Sequence, residues 1–92
     1  MKKREARGRN AGAIAELVTS IDLMRRGYFS YRTDNPSAPV DILAMCESGR
    51  VLRIEVKTAR DIAVPHRSEW DHIAFVDQYG VVEYKPPLPD TC

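Results

Sequence analysis

Residues 41–57, DILAMCESGRVLRIEVK, decide how this chain folds. Two apolar-rich runs, Val40–Met45 and Val51–Lys57, flank a short polar turn, and the pattern predicts a β-hairpin. Successive strand residues point to opposite faces. Val51, Arg53, Glu55 and Lys57 therefore share one face while Leu52, Ile54 and Val56 share the other. On the facing strand, Asp41, Leu43 and Met45 lie together. A three-residue loop, Glu47–Ser48–Gly49, closes as a type I turn ended by a left-handed residue, a conformation Gly49 adopts without strain. Cys46 then faces Arg50, Met45 faces Val51, Leu43 faces Arg53, and Asp41 faces Glu55. A two-residue Ser48–Gly49 loop would set Asp41 against Val56, on the wrong face, and the turn residues permit that register too.

In the favoured register two carboxylates stand directly across a strand pair, with Cβ atoms about 4.5–5.5 Å apart. Like charges so placed repel, and one pKa rises unless a cation intervenes. Lys57 is one such cation. A divalent ion is another, since Mg²⁺ is held by one or two carboxylates together with water and phosphate oxygens. The residues alone fit first an ordinary solvent face on which Arg53 and Lys57 pair with the two acids.

Outward from the hairpin, Ile14, Leu17, Val18, Ile21 and Met24 recur at helical spacing, which predicts an amphipathic helix from Ala11 to about Arg26 with that stripe turned inward. Arg25 and Arg26 suit its C-terminal dipole, and Gly27 suits the position just beyond its end. Tyr28–Thr33 reads as a short strand and DNPSAP (34–39) as a turn. Residues 58–70 have no clean period and read as a loop. His72–Val76 and Val81–Tyr84 form a second hairpin around DQYG, and the proline-rich tail cannot extend a strand. The expected fold class is α+β: one helix packed on a mixed, mainly antiparallel sheet.

Ninety-two residues make one domain, read as 1–92 with a basic leader at 1–10 and a proline-rich tail at 86–92. No apolar run approaches the ~20 residues of a membrane span, and no signal-peptide segment is present. Cys46 and Cys92 lack metal-finger spacing and read as free thiols, which makes a cytoplasmic location the expectation. The net charge of +1 hides an asymmetry. Residues 1–32 hold eight Lys or Arg against three acids, whereas residues 33–92 hold six against ten. Lys2, Lys3, Arg4, Arg7 and Arg9 could contact a polyanion, or form a solvated leader.

Taken in order, GAIAE (12–16), RGY (26–28), PVDILA (39–44) and RIEVKT (53–58) resemble the PD-(D/E)XK nuclease superfamily, and among its members the intron homing endonucleases and archaeal-type Holliday junction resolvases. The similarity runs from about Gly12 to Thr58, with a weaker echo in DHIAFVDQYGVVEYKPP (71–87). Val40 stands where the nominal motif has proline. The resemblance implies a restriction-endonuclease-like core and metal-dependent hydrolysis of phosphodiester bonds, more in keeping with DNA than with RNA. It implies that Asp41 and Glu55 ligate Mg²⁺ or Mn²⁺, with the Val56 carbonyl as a further ligand. It also implies that Lys57 orients the attacking water and that Glu16 contacts the metal through water. Helical periodicity instead turns Glu16 to solvent, about 200° from Ile14 on a wheel of 3.6 residues per turn.

Arg60, His66 and Arg67 are candidate phosphate contacts in the 58–70 loop, or merely solvated residues there. His72 has no nucleophile or metal-ligand spacing beside it, and Trp70 and Tyr84 read as packing for the second hairpin. One such site cuts one strand, so duplex cleavage implies a homodimer or higher homo-oligomer. The rival reading is a nuclease-like fold that binds nucleic acid or a protein partner without cutting.

Overall fold

The computed structural model describes residues 3–33, 38, 40–58 and 69–91, those from 3 to 9 by backbone only. Helix α1 (Lys3–Arg25) is followed by β1 (Phe29–Arg32), β2 (Ile42–Met45), β3 (Val51–Thr58), β4 (His72–Val76) and β5 (Val82–Lys85). The strands form one sheet in the order β1-β2-β3-β4-β5. Every neighbouring pair is antiparallel except β3 and β4, which run parallel. This is the expected α+β arrangement, one helix on a mixed sheet. No helix among the described residues is long and apolar enough to cross a membrane.

The helix begins eight residues earlier than its apolar stripe suggested, and Lys3–Asn10 form its first turns. Its far end closes as expected. Gly27 takes φ 93°, its amide donates to the Met24 carbonyl at 3.0 Å, and the Tyr28 amide donates to the Leu23 carbonyl at 3.0 Å. That pair of bonds satisfies the last carbonyls of the helix and turns the chain into β1. Leu23 and Tyr28, so placed, join the buried core with Ile42, Ala44, Leu52, Ile54, Ala74 and Tyr84.

The face that α1 buries is not the one its large aliphatics predict. Ala15, Thr19, Ser20 and Leu23 are buried, whereas Ile14, Leu17, Ile21 and Met24 are about half exposed. Small side chains explain the inversion, because they let the helix axis approach the sheet. The Thr19 hydroxyl donates to its own turn at the Ala15 carbonyl, 2.8 Å away. The hydroxyls of Ser20 and Ser30 meet at 2.7 Å and bind α1 to β1. Polar groups satisfied in this way can be buried without penalty.

On the far face of the sheet Val40, Trp70 and Ile73 form a second cluster flanked by Leu43 and Phe75. His72 is buried with its Nδ1 2.7 Å from the Pro86 carbonyl, which accounts for it structurally. Tyr84 packs in the core and donates its hydroxyl proton to Asp22 at 2.7 Å. Cys46, expected as a free thiol, is buried and disulfide-bonded; Cys92 lies outside the described residues.

Candidate active site

The hairpin adopts the register that the three-residue loop requires. Met45 pairs with Val51, Leu43 with Arg53 and Ile42 with Ile54. Gly49 has φ 93° and its amide donates to the Cys46 carbonyl at 2.9 Å. Asp41 lies one step beyond the last paired residue of β2, which sets it opposite Glu55. Its backbone is held from β1's end: the Thr33 amide donates to the Asp41 carbonyl at 2.9 Å, and the Thr33 hydroxyl donates to the carbonyls of Val40 and Asp41 at 2.6 and 3.1 Å.

The Asp41 side chain is fixed from the other strand, since its Oδ2 accepts the Val56 amide proton at 2.8 Å. That bond turns the carboxyl toward Glu55, with which it shares a hydrogen bond. Burial first, then the Asp41 carboxylate, push the Glu55 carboxyl up to about 7, and Glu69 adds to the repulsion. Lys57 acts against this shift, its Nζ lying 4.0 Å from Glu55 Oε1. The side chains of Glu55 and Lys57 keep 15% and 24% exposure, so both are shielded yet reachable.

Two hard oxygen ligands, drawn together against their own repulsion, match the donor set that Mg²⁺ or Mn²⁺ takes, with water completing its shell. No group of three or more His, Cys, Asp or Glu in a metal-holding arrangement occurs among the described residues. A two-carboxylate site does not require one. The proton that Glu55 retains near neutrality occupies the place in the charge balance that a divalent cation would fill.

The structure thus brings together Asp41, Glu55, Lys57 and the Val56 backbone. Glu16 departs from the periodicity: it is half-buried beside Ala15, on the sheet-facing side of α1 rather than in solvent. The side chains of Lys3, Arg4, Arg7 and Arg9 are outside what the structure describes, and Lys2, Arg60, His66 and Arg67 lie outside the described residues. Two residues escaped the reading of the sequence. Glu69 reaches Glu55 electrostatically, and Asp71 pairs with Arg53, donated to by the Arg53 amide at 2.8 Å and its guanidinium at 3.1 and 3.2 Å. Only the parallel β3–β4 pairing brings them near, and no local pattern announces a pairing across an intervening crossover.

No family model matches the sequence, and no curated protein matches it either. The fold is similar to that of a bacterial homing endonuclease, I-Ssp6803I, with a TM-score of 0.61 and 16% identity over 74% of this chain and 60% of that one. The chain therefore spans less than two thirds of that protein. At this identity the likeness establishes a nuclease-like fold and leaves the chemistry to be argued from the site.

Proposed function

We propose that this protein is a Mg²⁺- or Mn²⁺-dependent endonuclease of the PD-(D/E)XK type that hydrolyses phosphodiester bonds in DNA. The observation that supports this best is the meeting of Asp41, Glu55 and Lys57 across one hairpin, with Asp41 locked by the Val56 amide. Asp41 and Glu55 would hold the metal, with the Val56 carbonyl beside them and Glu16 reaching it through water. When bound, the ion supplies a water of lowered pKa and a Lewis acid for the phosphate oxygen. Lys57 places positive charge where negative charge grows on the phosphate, and orients the attacking water. Burial of Glu55 keeps bulk water from screening these charges. DNA as the substrate follows the resemblance and the fold likeness to a homing endonuclease. Cutting both strands of a duplex calls for a homo-oligomer, and the basic residues at 2–9, 60 and 67 are the candidate phosphate contacts.

Incubation of the protein with supercoiled plasmid and with branched DNA, under Mg²⁺ or Mn²⁺ and under EDTA, tests the reading. Cutting that needs metal and disappears in Glu55→Ala is expected. A folded protein that binds DNA and metal but cuts neither substrate would replace this reading with the non-catalytic one.

A further inference from the structure

The solvent face of α1 carries a pattern of its own. Ile14, Leu17, Ile21 and Met24 are spaced by three, four and three residues, which is the a-d-a-d register of a helix-pairing seam. Their exposures are 51%, 46%, 46% and 53%, and together they make an apolar patch of the few-hundred-Å² size that marks an interaction site. We propose that this face is the interface between two copies of this chain, with the two helices antiparallel about a two-fold axis at the level of Thr19.

The seam is complementary to itself. Under that axis Ile14 faces Met24 of the partner subunit and Leu17 faces Ile21 of the partner subunit, so each a position meets a d position. The flanks are small or uncharged: Ala11, Ala13, Val18 and Ser20 border the stripe, and Arg25 alone among them is charged. Antiparallel pairing sets Arg25 on the flank bordered by Ala11 and Val18 of the partner subunit, away from its counterpart. A highly charged partner would find nothing to pair with along this stripe, whereas a second copy buries it fully.

Two heptads are short for a free coiled coil, which sustains three or four. Here α1 is already held by the sheet and by its C-terminal cap, so association carries no cost of helix formation. A stable interface needs about 800 Å² from each partner, more than the seam alone provides. The β4–β5 turn extends it. Val18 Cγ1 would lie 3.9 Å from a Cβ placed on Gly80, and Tyr79 and Val81 on either side of that glycine are 82% and 62% exposed. The exposed stripe of α1 points away from the sheet, so pairing through it leaves the Asp41–Glu55–Lys57 site open.

This inference deepens the homo-oligomer part of the proposed function and is read without DNA or metal, so either reading can fail alone. Sedimentation equilibrium of the wild-type chain is expected to show a concentration-dependent dimer. Leu17→Glu with Ile21→Glu is expected to give a monomer of unchanged helical circular dichroism. If that pair of substitutions unfolds the chain, Leu17→Ala carries the test, with dimerisation weakened about tenfold or more. Val51→Glu, on the other face, should leave the dimer intact. Leu17→Cys mixed with Ile21→Cys should give the mixed cross-link. A wild-type monomer at every concentration, or a dimer indifferent to the Leu17 substitutions, overturns the proposal; cross-links formed only within each variant overturn the antiparallel arrangement.

Discussion

Arg53 and Glu55 stand two residues apart on the same face of β3, and their surroundings differ sharply. Arg53 donates three hydrogen bonds to the Asp71 carboxylate, and its side-chain bonds hold that carboxyl below the usual carboxylate range. Glu55 meets another acid, and burial with Asp41 drives it up to about 7, with Lys57 only a partial counterweight at 4.0 Å. One position is satisfied within the chain. The other is left with a charge problem that a divalent cation and a phosphate would resolve. Repulsion retained beside a settled ion pair marks Glu55 as the candidate site and Arg53 as a structural position.

The widest separation between the two positions should appear in turnover. Lys57→Ala or Asp41→Asn is expected to slow metal-dependent DNA cleavage by roughly 10²–10³-fold, while Arg53→Ala leaves it within a few-fold; initial rates on plasmid would show it. Comparable losses from both positions would erase the distinction between them.

Metal should separate them next. At about a hundred times its dissociation constant, Mg²⁺ or Mn²⁺ is expected to stabilise the wild type by about 2.7 kcal/mol. Thermal melts of Glu55→Gln should show little of that gain, and melts of Asp71→Asn should show all of it.

Proton linkage gives a smaller contrast with opposite signs. The folded pKa of Glu55 lies above its ordinary 4.5, so its contribution to stability is full below that value and is lost as pH rises to about 7. Glu55→Gln should therefore raise the metal-free melting temperature at pH 8 and not at pH 4. After discounting for solvent screening the gain is about 1 kcal/mol, or ~4–8 °C in a domain of this size. The Asp71 pKa is lowered, so its contribution is present at neutral pH and is lost as pH falls through the folded value. Asp71→Asn should destabilise by up to about 1 kcal/mol at pH 7, with the difference vanishing in acid. It is the smallest of these effects.

The hairpin was legible because its register depends on local chemistry: Gly49 takes the positive φ that only a residue without Cβ adopts freely, and the alternation of residues 51–57 then places the site. The helix was legible in its C-terminal end and not in its orientation. Hydrophobic period marks the face with the largest aliphatics, and in α1 the buried face is built from Ala15, Thr19 and Ser20, whose small size and paired hydroxyls favour close approach. Glu16 was misplaced for the same reason, and only the family resemblance turned it inward. Glu69 and Asp71 depend on a parallel pairing between distant segments, which leaves no periodic trace. Period alone turns the four side chains on the outer face of α1 inward, because it does not distinguish a buried apolar face from an exposed one.

The turn at Glu47–Gly49 also governs how this chain can drift over generations. A substitution at Gly49 strains one residue and leaves the alternation intact, so the site survives at reduced stability. Loss or gain of a single residue there is different in kind. It re-pairs β2 with β3 one step out of phase, carries Asp41 from Glu55 toward Val56, and exchanges the buried side chains of a whole strand with those outside. Lineages of this protein should accordingly vary the letters of that turn while holding its length constant.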